Sequence, residues 1–253
     1  MRSLAVFGGT GFLGRHICKK GILNGWSVSS ISRTVPQLDK DVIPNLEYIS
    51  GDIFKPDVYR NIIESTNAVV HTVGSFMDHS EYKKVVNAPL VPSTVFKLAQ
   101  LKLQGRNPMS NTLQRLNYDS AMVLAQTANE IAAKQERVLP FVYISAENWS
   151  SLADPNYIAT KRRAEHDLMG LKNLRPVFLR PGFMYDSNAQ PECWPSFRSA
   201  LTMAVGVKDK VSGQPPSRIS VQAVAAAAVE AAEDDEIIGV VSNEALAEFD
   251  VMR

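Results

Sequence analysis

The amino-acid sequence predicts an α/β fold, a doubly wound parallel sheet flanked by helices, with a small carboxyl-terminal appendage on the side where ligands reach such a sheet. Three observations carry this. A short apolar run, Leu4-Ala5-Val6-Phe7, is followed by Gly8-Gly9-Thr10-Gly11-Phe12-Leu13-Gly14, which opens a helical pattern (Leu13, Ile17, Gly21, Ile22) that stops at Asn24-Gly25. Strand-like runs at 27–32, 46–50, 68–72 and 141–145 are separated by helical patterns, as in strand–helix–strand units. The run Ala68-Val69-Val70-His71-Thr72 is almost continuously apolar, as a strand covered on both faces must be.

The first strand, glycine turn and helix are expected to cradle a pyrophosphate through Gly8, Thr10, Gly11, Phe12, Leu13 and Gly14. Gly8 allows the sharp turn, Gly11 lets the backbone approach the ligand, and Gly14 lets the helix pack close to its strand. The free amides and positive dipole end of that helix then face the phosphates. A turn without ligand needs only one such glycine. The second strand, Ser27 to Ser32, ends at Arg33, where folds of this kind meet the adenosine ribose. A carboxylate there selects a free 2′-hydroxyl; here none occurs until Asp39, and Ser32 with Arg33 suits a 2′-phosphate, so NADP(H) is expected over NAD(H). The plainer alternative is a surface arginine at a strand end.

The third strand, Leu46 to Ser50, runs into Gly51-Asp52-Ile53, where Asp52 and Ile53 either bracket an adenine or Asp52 simply caps the next turn. A helix from about Asp57 to Glu64 leads to the fourth strand, which ends at Val73-Gly74; the glycine either lets a ribose lie against the backbone or merely ends the strand. From about 75 to 112 the pattern degrades around several prolines, and a connection this long reads as a lid over the site. Asn117 to Lys134 is a strong helix, and Phe141 to Ser145 the fifth strand. Twelve residues past Ser145 come Tyr157 and Lys161, four apart and therefore on one face of the helix they open. An ammonium so placed lowers a phenol from about 10 toward the range of a general acid or base. With 7 tyrosines in the chain such a pair arises by chance often enough that its place, one loop after Ser145 at the carboxyl edge of the sheet, is what gives it weight.

These segments, together with Arg180-Pro181-Gly182-Phe183-Met184-Tyr185, resemble the motifs of the short-chain dehydrogenase/reductase superfamily. The GxxGxxG spacing and the Arg-Pro-Gly segment are similar to its extended and atypical branches, and the match runs from the first strand to the helix near Ala231. More narrowly, Asp52-Ile53-Phe54-Lys55-Pro56-Asp57, Val69-Val70-His71, Tyr143-Ile144-Ser145-Ala146 and Arg180 to Met184 resemble the fungal mitochondrial ubiquinone-biosynthesis accessory proteins, relatives of the nucleotide-binding accessory subunit of respiratory complex I. The resemblance implies a Rossmann fold in which Ser145 hydrogen-bonds a substrate carbonyl and Tyr157 gives or takes the proton. It implies that Lys161 lowers the tyrosine and holds the nicotinamide ribose, and that Pro181, Gly182 and Phe183 lie against the nicotinamide. Asn117 matches the helix asparagine of the extended branch without a role assigned to it. Two functions are implied: an accessory subunit with other ubiquinone-biosynthesis proteins as partners, on the matrix side of the inner mitochondrial membrane, or an NADPH-dependent oxidoreductase of a hydrophobic carbonyl or quinone-pathway intermediate. Only about seventy residues follow the sixth strand (Val177 to Arg180), too few for the substrate domain of the sugar-nucleotide enzymes of this superfamily.

Length and composition set the remaining bounds. The 253 residues, 45% hydrophobic, suit one unit: a core to about 185, the insertion at about 75–112 and a carboxyl-terminal region from about 186. A net charge of +1 and no basic stripe with interleaved aromatics argue against nucleic acid. The two cysteines, Cys18 and Cys193, and the four histidines, His16, His71, His79 and His166, show no metal spacing, so no metal is expected. No run of 18 apolar residues exists, which excludes a spanning helix and leaves peripheral membrane association open. The first strand begins almost at Met1, so no presequence is expected, and the sequence alone defaults to a cytoplasmic or organelle-matrix protein. Trp194 to Val205 reads as a short helix, Val221 to Ala232 as an alanine-rich helix, Glu233 to Glu236 as its solvated end, and Ile237 to Val241 as a last strand.

Overall fold

Alternation along each strand decides which side chains go to which face of the sheet, and two helical layers cover them. In the computed structural model, which describes residues 2–36, 42–75, 112–147, 155–188 and 218–250, the first strand β1 (Ser3–Phe7) leads through the glycine loop into α1 (Phe12–Leu23). Then come β2 (Ser27–Ser32), β3 (Leu46–Ser50), a 3₁₀ turn (Pro56–Val58), α2 (Arg60–Ser65) and β4 (Ala68–His71). A π turn (Gln114–Asp119) runs into α3 (Ser120–Lys134), followed by β5 (Leu139–Ile144), α4 (Pro155–Met169), β6 (Leu174–Leu179) and β7 (Phe183–Tyr185). The chain ends with β8 (Arg218–Ser220), α5 (Val221–Glu233), β9 (Gly239–Val241) and α6 (Asn243–Glu248).

Seven of these strands form one parallel sheet in the order β3-β2-β1-β4-β5-β6-β9. The order reverses between β1 and β4, so the crevice at their carboxyl ends is the topological switch point where such sheets bind ligands. Leu4 and Val6 face the core layer made by α1 and α5, whereas Ala5 and Phe7 face the layer made by α2, α3 and α4. The same alternation divides Val142 and Ile144 from Phe141 and Tyr143. Apolar layers cover both faces, so β4 and β6 are buried at every position.

The carboxyl-terminal region contributes more to this core than an appendage would. Nine residues of α5 are buried, its hydroxyl cap Ser220 accepts from the Ala223 amide at 3.0 Å, and β9 extends the main sheet beyond β6. The acidic run at the end of α5 is the solvated helix end expected, with Glu233, Asp235 and Glu236 exposed, and two of its acids still find partners. Glu233 pairs with Arg2 at 2.6 Å and Asp235 with the buried Arg175 at 3.3 Å. A separate two-stranded parallel pair, β7 with β8, forms from segments that carry no strand pattern. Cys18 is buried in α1 as expected. The proposed lid at 75–112 (all but Ser75 and Thr112), Cys193, His79 and the expected helix at 194–205 lie outside the described residues. No helix among the described residues is long and apolar enough to cross a membrane.

Candidate functional site

The glycine loop is held by contacts that no other residue type would permit. A Cβ at Gly14 would lie 2.2 Å from the Gly8 carbonyl oxygen and 2.8 Å from the Gly9 Cα. Gly8 has φ +88°, a conformation that disfavours L side chains, and a Cβ there would meet the Thr72 hydroxyl at 2.6 Å. The loop folds on itself through the Gly11 amide, which donates to the Gly8 carbonyl at 2.9 Å, and α1 starts at once behind it. Its N-cap, Gly11, carries no side-chain cap and no acid stands in its first turn, so neither offsets the positive dipole end of α1.

Over this loop opens a cavity of about 240 Å³ at the carboxyl ends of β1 to β4. Gly8, Thr10, Gly11, Ser32, Arg33, Asp52, Ile53, Val73 and Gly74 all line it, which brings together most of the positions assigned to the dinucleotide from sequence. Ser32 is fixed there because its hydroxyl accepts from the Thr10 amide at 3.3 Å. Asp52 also serves the local turn, its Oδ1 accepting from the Phe54 amide at 3.1 Å. Phe12, Leu13 and Gly14 do not line the cavity; Leu13 is a core residue, and Phe12 lies edge-on to His16. Phe54, within the 52–57 segment quoted above, lines it as well, as do Thr34, Arg115 and Leu116, which no sequence motif marks. A glycine loop at the positive end of α1, a glycine-walled approach and an electropositive far end fit a nicotinamide dinucleotide. A larger cavity of about 640 Å³ between α1 and α5 shares no residue with this groove.

Beyond Gly74 the sheet edge carries a buried polar cluster. Lys161 on α4 reaches to the end of β5, where its Nζ donates to the Ile144 carbonyl at 2.7 Å and lies 4.6 Å from the centre of the Tyr143 ring. The glycine at 74 makes room for it: a Cβ there would stand 3.4 Å from Lys161 Nζ and 3.0 Å from Asn117 Oδ1. Asn117, in the π turn, accepts from the Ser75 amide and donates to the Ser75 carbonyl, both at 2.9 Å. Its own carbonyl accepts from the Tyr143 hydroxyl at 2.6 Å. Below them the Ser120 hydroxyl donates to the Leu116 carbonyl at 2.7 Å, so at 2.9 Å it must accept from His71, which places the imidazole proton on Nε2. Burial, reinforced by the Lys161 charge, pushes His71 down to about 3.

Ser145 is 2% exposed, one residue past β5. Arg162 Nη1 donates to its Oγ at 3.1 Å and to Glu165 Oε1 at 2.8 Å, while Nη2 donates to the Ala146 carbonyl at 2.8 Å. Glu165 is in turn gripped by Arg180, Nε to Oε1 at 3.0 Å and Nη2 to Oε2 at 2.5 Å. A guanidinium only donates, so the Ser145 oxygen is an acceptor in this contact and its own proton is left to point elsewhere. Tyr157 is half-buried on the first turn of α4, close enough to Tyr143 for its charge to help hold that buried phenol well above 10, behind the larger effect of burial. Pro181, Gly182 and Phe183 follow β6 at the same sheet edge. The Pro181 carbonyl accepts from the Glu147 amide at 2.9 Å, the Gly182 amide donates to Asn243 Oδ1 at 2.7 Å, and Phe183 begins β7.

Lys161 yields a pH prediction. Its burial pushes the amine down to about 7, against the opposing pull of Glu165. The unfolded chain keeps that proton up to about its ordinary 10.5, and the folded chain releases it near 7. Between those values the unfolded state binds more protons, so stability rises with pH. Urea midpoints measured at pH 7, 8 and 9 should climb more steeply in the wild type than in Lys161→Met. Parallel slopes would mean that the amine is solvated.

Comparison with known proteins shows the family of the chain. Residues 8–235 match the NAD(P)H-binding protein family. MIOREX complex component 2 of Saccharomyces cerevisiae is 33% identical over 204 residues, which cover 73% of either chain. Vestitone reductase of Medicago sativa is 27% identical over 229 residues, 82% of this chain and 66% of that protein. Among solved structures, the Bordetella bronchiseptica enzyme WbmH in complex with NAD+ superposes with a TM-score of 0.58 at 16% identity, covering 96% of this chain and 75% of the other. A short-chain dehydrogenase/reductase family oxidoreductase from Burkholderia thailandensis gives 0.64 at 16% identity, covering 97% and 93%. At such identities these two structures speak for the fold alone.

Proposed function

This chain belongs to the NAD(P)H-binding family, and from that premise we propose that it is an NADP(H)-binding protein supporting mitochondrial ubiquinone biosynthesis as an accessory subunit of the biosynthetic complex, at the matrix side of the inner membrane. The observation that carries the cofactor choice is the end of β2, where Ser32, Arg33 and Thr34 line the cavity. The one carboxylate among the lining residues, Asp52, belongs to the β3 turn and is engaged by the Phe54 amide. A guanidinium flanked by hydroxyls suits a phosphate monoester better than a ribose diol. Support for a subunit role comes from the yeast relative, named as a component of a complex. Support for ubiquinone biosynthesis and for the mitochondrial location comes from the resemblance of the 52–57, 69–71, 143–146 and 180–184 segments.

Calorimetric titration tests the cofactor: NADPH should bind at least tenfold more tightly than NADH, a gap of about 1.4 kcal/mol. Arg33→Asp should reverse the order. Equal affinities, or a preference that survives Arg33→Asp, would overturn the assignment.

A second reading, an active oxidoreductase of a hydrophobic carbonyl or quinone-pathway intermediate, is favoured by one observation: Lys161 Nζ donates to the carbonyl of Ile144, the residue before Ser145, next to Gly74 at the wall of the groove. Bound NADPH would supply the hydride, Tyr157 the proton and Ser145 a hydrogen bond to the carbonyl oxygen. Complementation separates the two readings. Tyr157→Phe should restore ubiquinone synthesis as fully as the wild type if the protein is an accessory subunit, while Gly11→Val should abolish it together with partner co-purification. Loss of ubiquinone in Tyr157→Phe cells, with partners still attached, would instead establish catalysis.

A further inference from the structure

We propose that Arg115 is a second guanidinium for the 2′-phosphate of the bound dinucleotide and, with Arg33, sets the preference for the phosphorylated cofactor; the inference rests on the NADP(H) reading above. Arg33 and Arg115 enter the same cavity from separate elements, the end of β2 and the π turn ahead of α3. Arg2, Arg60, Arg162, Arg163, Arg175 and Arg180 each have a carboxylate partner; among the described arginines that are not ion-paired with a described residue (Arg15, Arg33, Arg115, Arg137 and Arg218), Arg33 and Arg115 are the two that line this cavity. An arginine kept without an acid at the wall of a cavity is available to an anion from outside the chain.

The Arg115 guanidinium is also held in place. It stacks over the Phe54 ring, 4.4 Å from its centre, and Phe54 itself lines the cavity. A neutral ring attracts the cation without cancelling its charge, so the contact fixes position and leaves that charge to act on an anion. Against these two cations the lining offers a single carboxylate, Asp52. The charge count then points to the ligand. A phosphate monoester carries about −1.5 to −2 near neutral pH, so one guanidinium leaves it underneutralised and two match it. The pyrophosphate does not need Arg115, because the uncapped positive dipole end of α1 already faces it across the glycine loop.

Two fragments that carry only the adenosine end test this without any assumption about turnover. Titration of 2′,5′-ADP and 5′-AMP into the full chain should show Arg115→Ala weakening 2′,5′-ADP at least tenfold and 5′-AMP less than twofold. Arg115→Lys, which keeps the charge but loses the planar fork, should fall between, and thermal melts should show both variants folded. Equal losses for the two fragments would place Arg115 on the adenine or the 5′-phosphate, and no loss would leave it a partner of Phe54; either result overturns the proposal. Wild-type protein that does not distinguish the fragments overturns the NADP(H) reading and this inference together. Discrimination that survives Arg115→Ala but not Arg33→Ala overturns the inference alone.

Discussion

Gly14→Ala should abolish dinucleotide binding and cost the fold about 2–4 kcal/mol, the range of a severe overpacking event. The added Cβ would stand 2.2 Å from the Gly8 carbonyl oxygen, 2.8 Å from the Gly9 Cα and 2.9 Å from the Gly8 carbonyl carbon. All three are backbone atoms of the loop itself, so no side chain can swing aside to relieve the clash. Only by moving α1 away from β1 can the chain admit a methyl group, and that movement takes the helix amides away from the phosphates. NADPH affinity should fall at least a hundredfold, about 2.7 kcal/mol or more. Gly25→Ala is the control. That position has φ +81° but nothing within 4 Å of an added methyl, so it should lose only about 1 kcal/mol through backbone strain and bind normally. Guanidinium denaturation and calorimetry on both variants would check the pair, and wild-type affinity in Gly14→Ala would remove the loop from the binding site.

Glu165→Leu should be the most damaging change at the other end of the groove. The carboxylate is 6% exposed and accepts from two guanidiniums, with buried Lys161 one helical turn away. Removing one partner of a buried ion pair typically costs about 3–5 kcal/mol. Arg162 and Arg180 keep 30% and 26% of their side-chain surface exposed, so water recovers part of that and about 2–4 kcal/mol is expected. The loss should extend to the site. Without Glu165 the charge that opposes the desolvation of Lys161 is gone, and its proton should come off at still lower pH. Arg162 would also lose the anchor that aims it at Ser145. A double-mutant cycle with Arg180→Leu measures the coupling directly, and additive effects would mean that the two residues act independently. A Glu165→Leu protein within about 0.5 kcal/mol of the wild type, the range of an ordinary surface substitution, would show that the cluster holds nothing together.

The difference between these two positions explains what could be read from the sequence. The glycine loop is legible because its constraint is local: three glycines spaced by three, a strand before and a helix after. The apolar runs of β4 and β5 are legible for the same reason, and Lys161 follows from a four-residue spacing. The Glu165 cluster is not local. It joins two sites on α4 to Arg180, fifteen residues further on, after β6, and Glu165 alone looks like any acid on a helix surface.

Arg115 and the π turn were hidden by distance. The turn departs from the regular helix expected at Asn117, whose amide is bound to Ser75, 42 residues earlier. No periodicity signal encodes a contact across an insertion of that length. α5 was expected as a helix, but its alanine-rich surface does not say which neighbour it will cover, and only the fold shows it against α1. The β7 and β8 pairing joins segments of three residues more than thirty positions apart, too short to carry a pattern.

That one bound molecule spans the loop and the lysine is the central claim, and a crystal structure of the protein grown with NADPH tests it most directly. The pyrophosphate should lie over Gly11 at the start of α1, the 2′-phosphate at Arg33, and the nicotinamide ribose beside Gly74 and Lys161. Density for the nucleotide in the α1–α5 cavity, or a bound molecule whose nicotinamide end points away from Lys161, would contradict it.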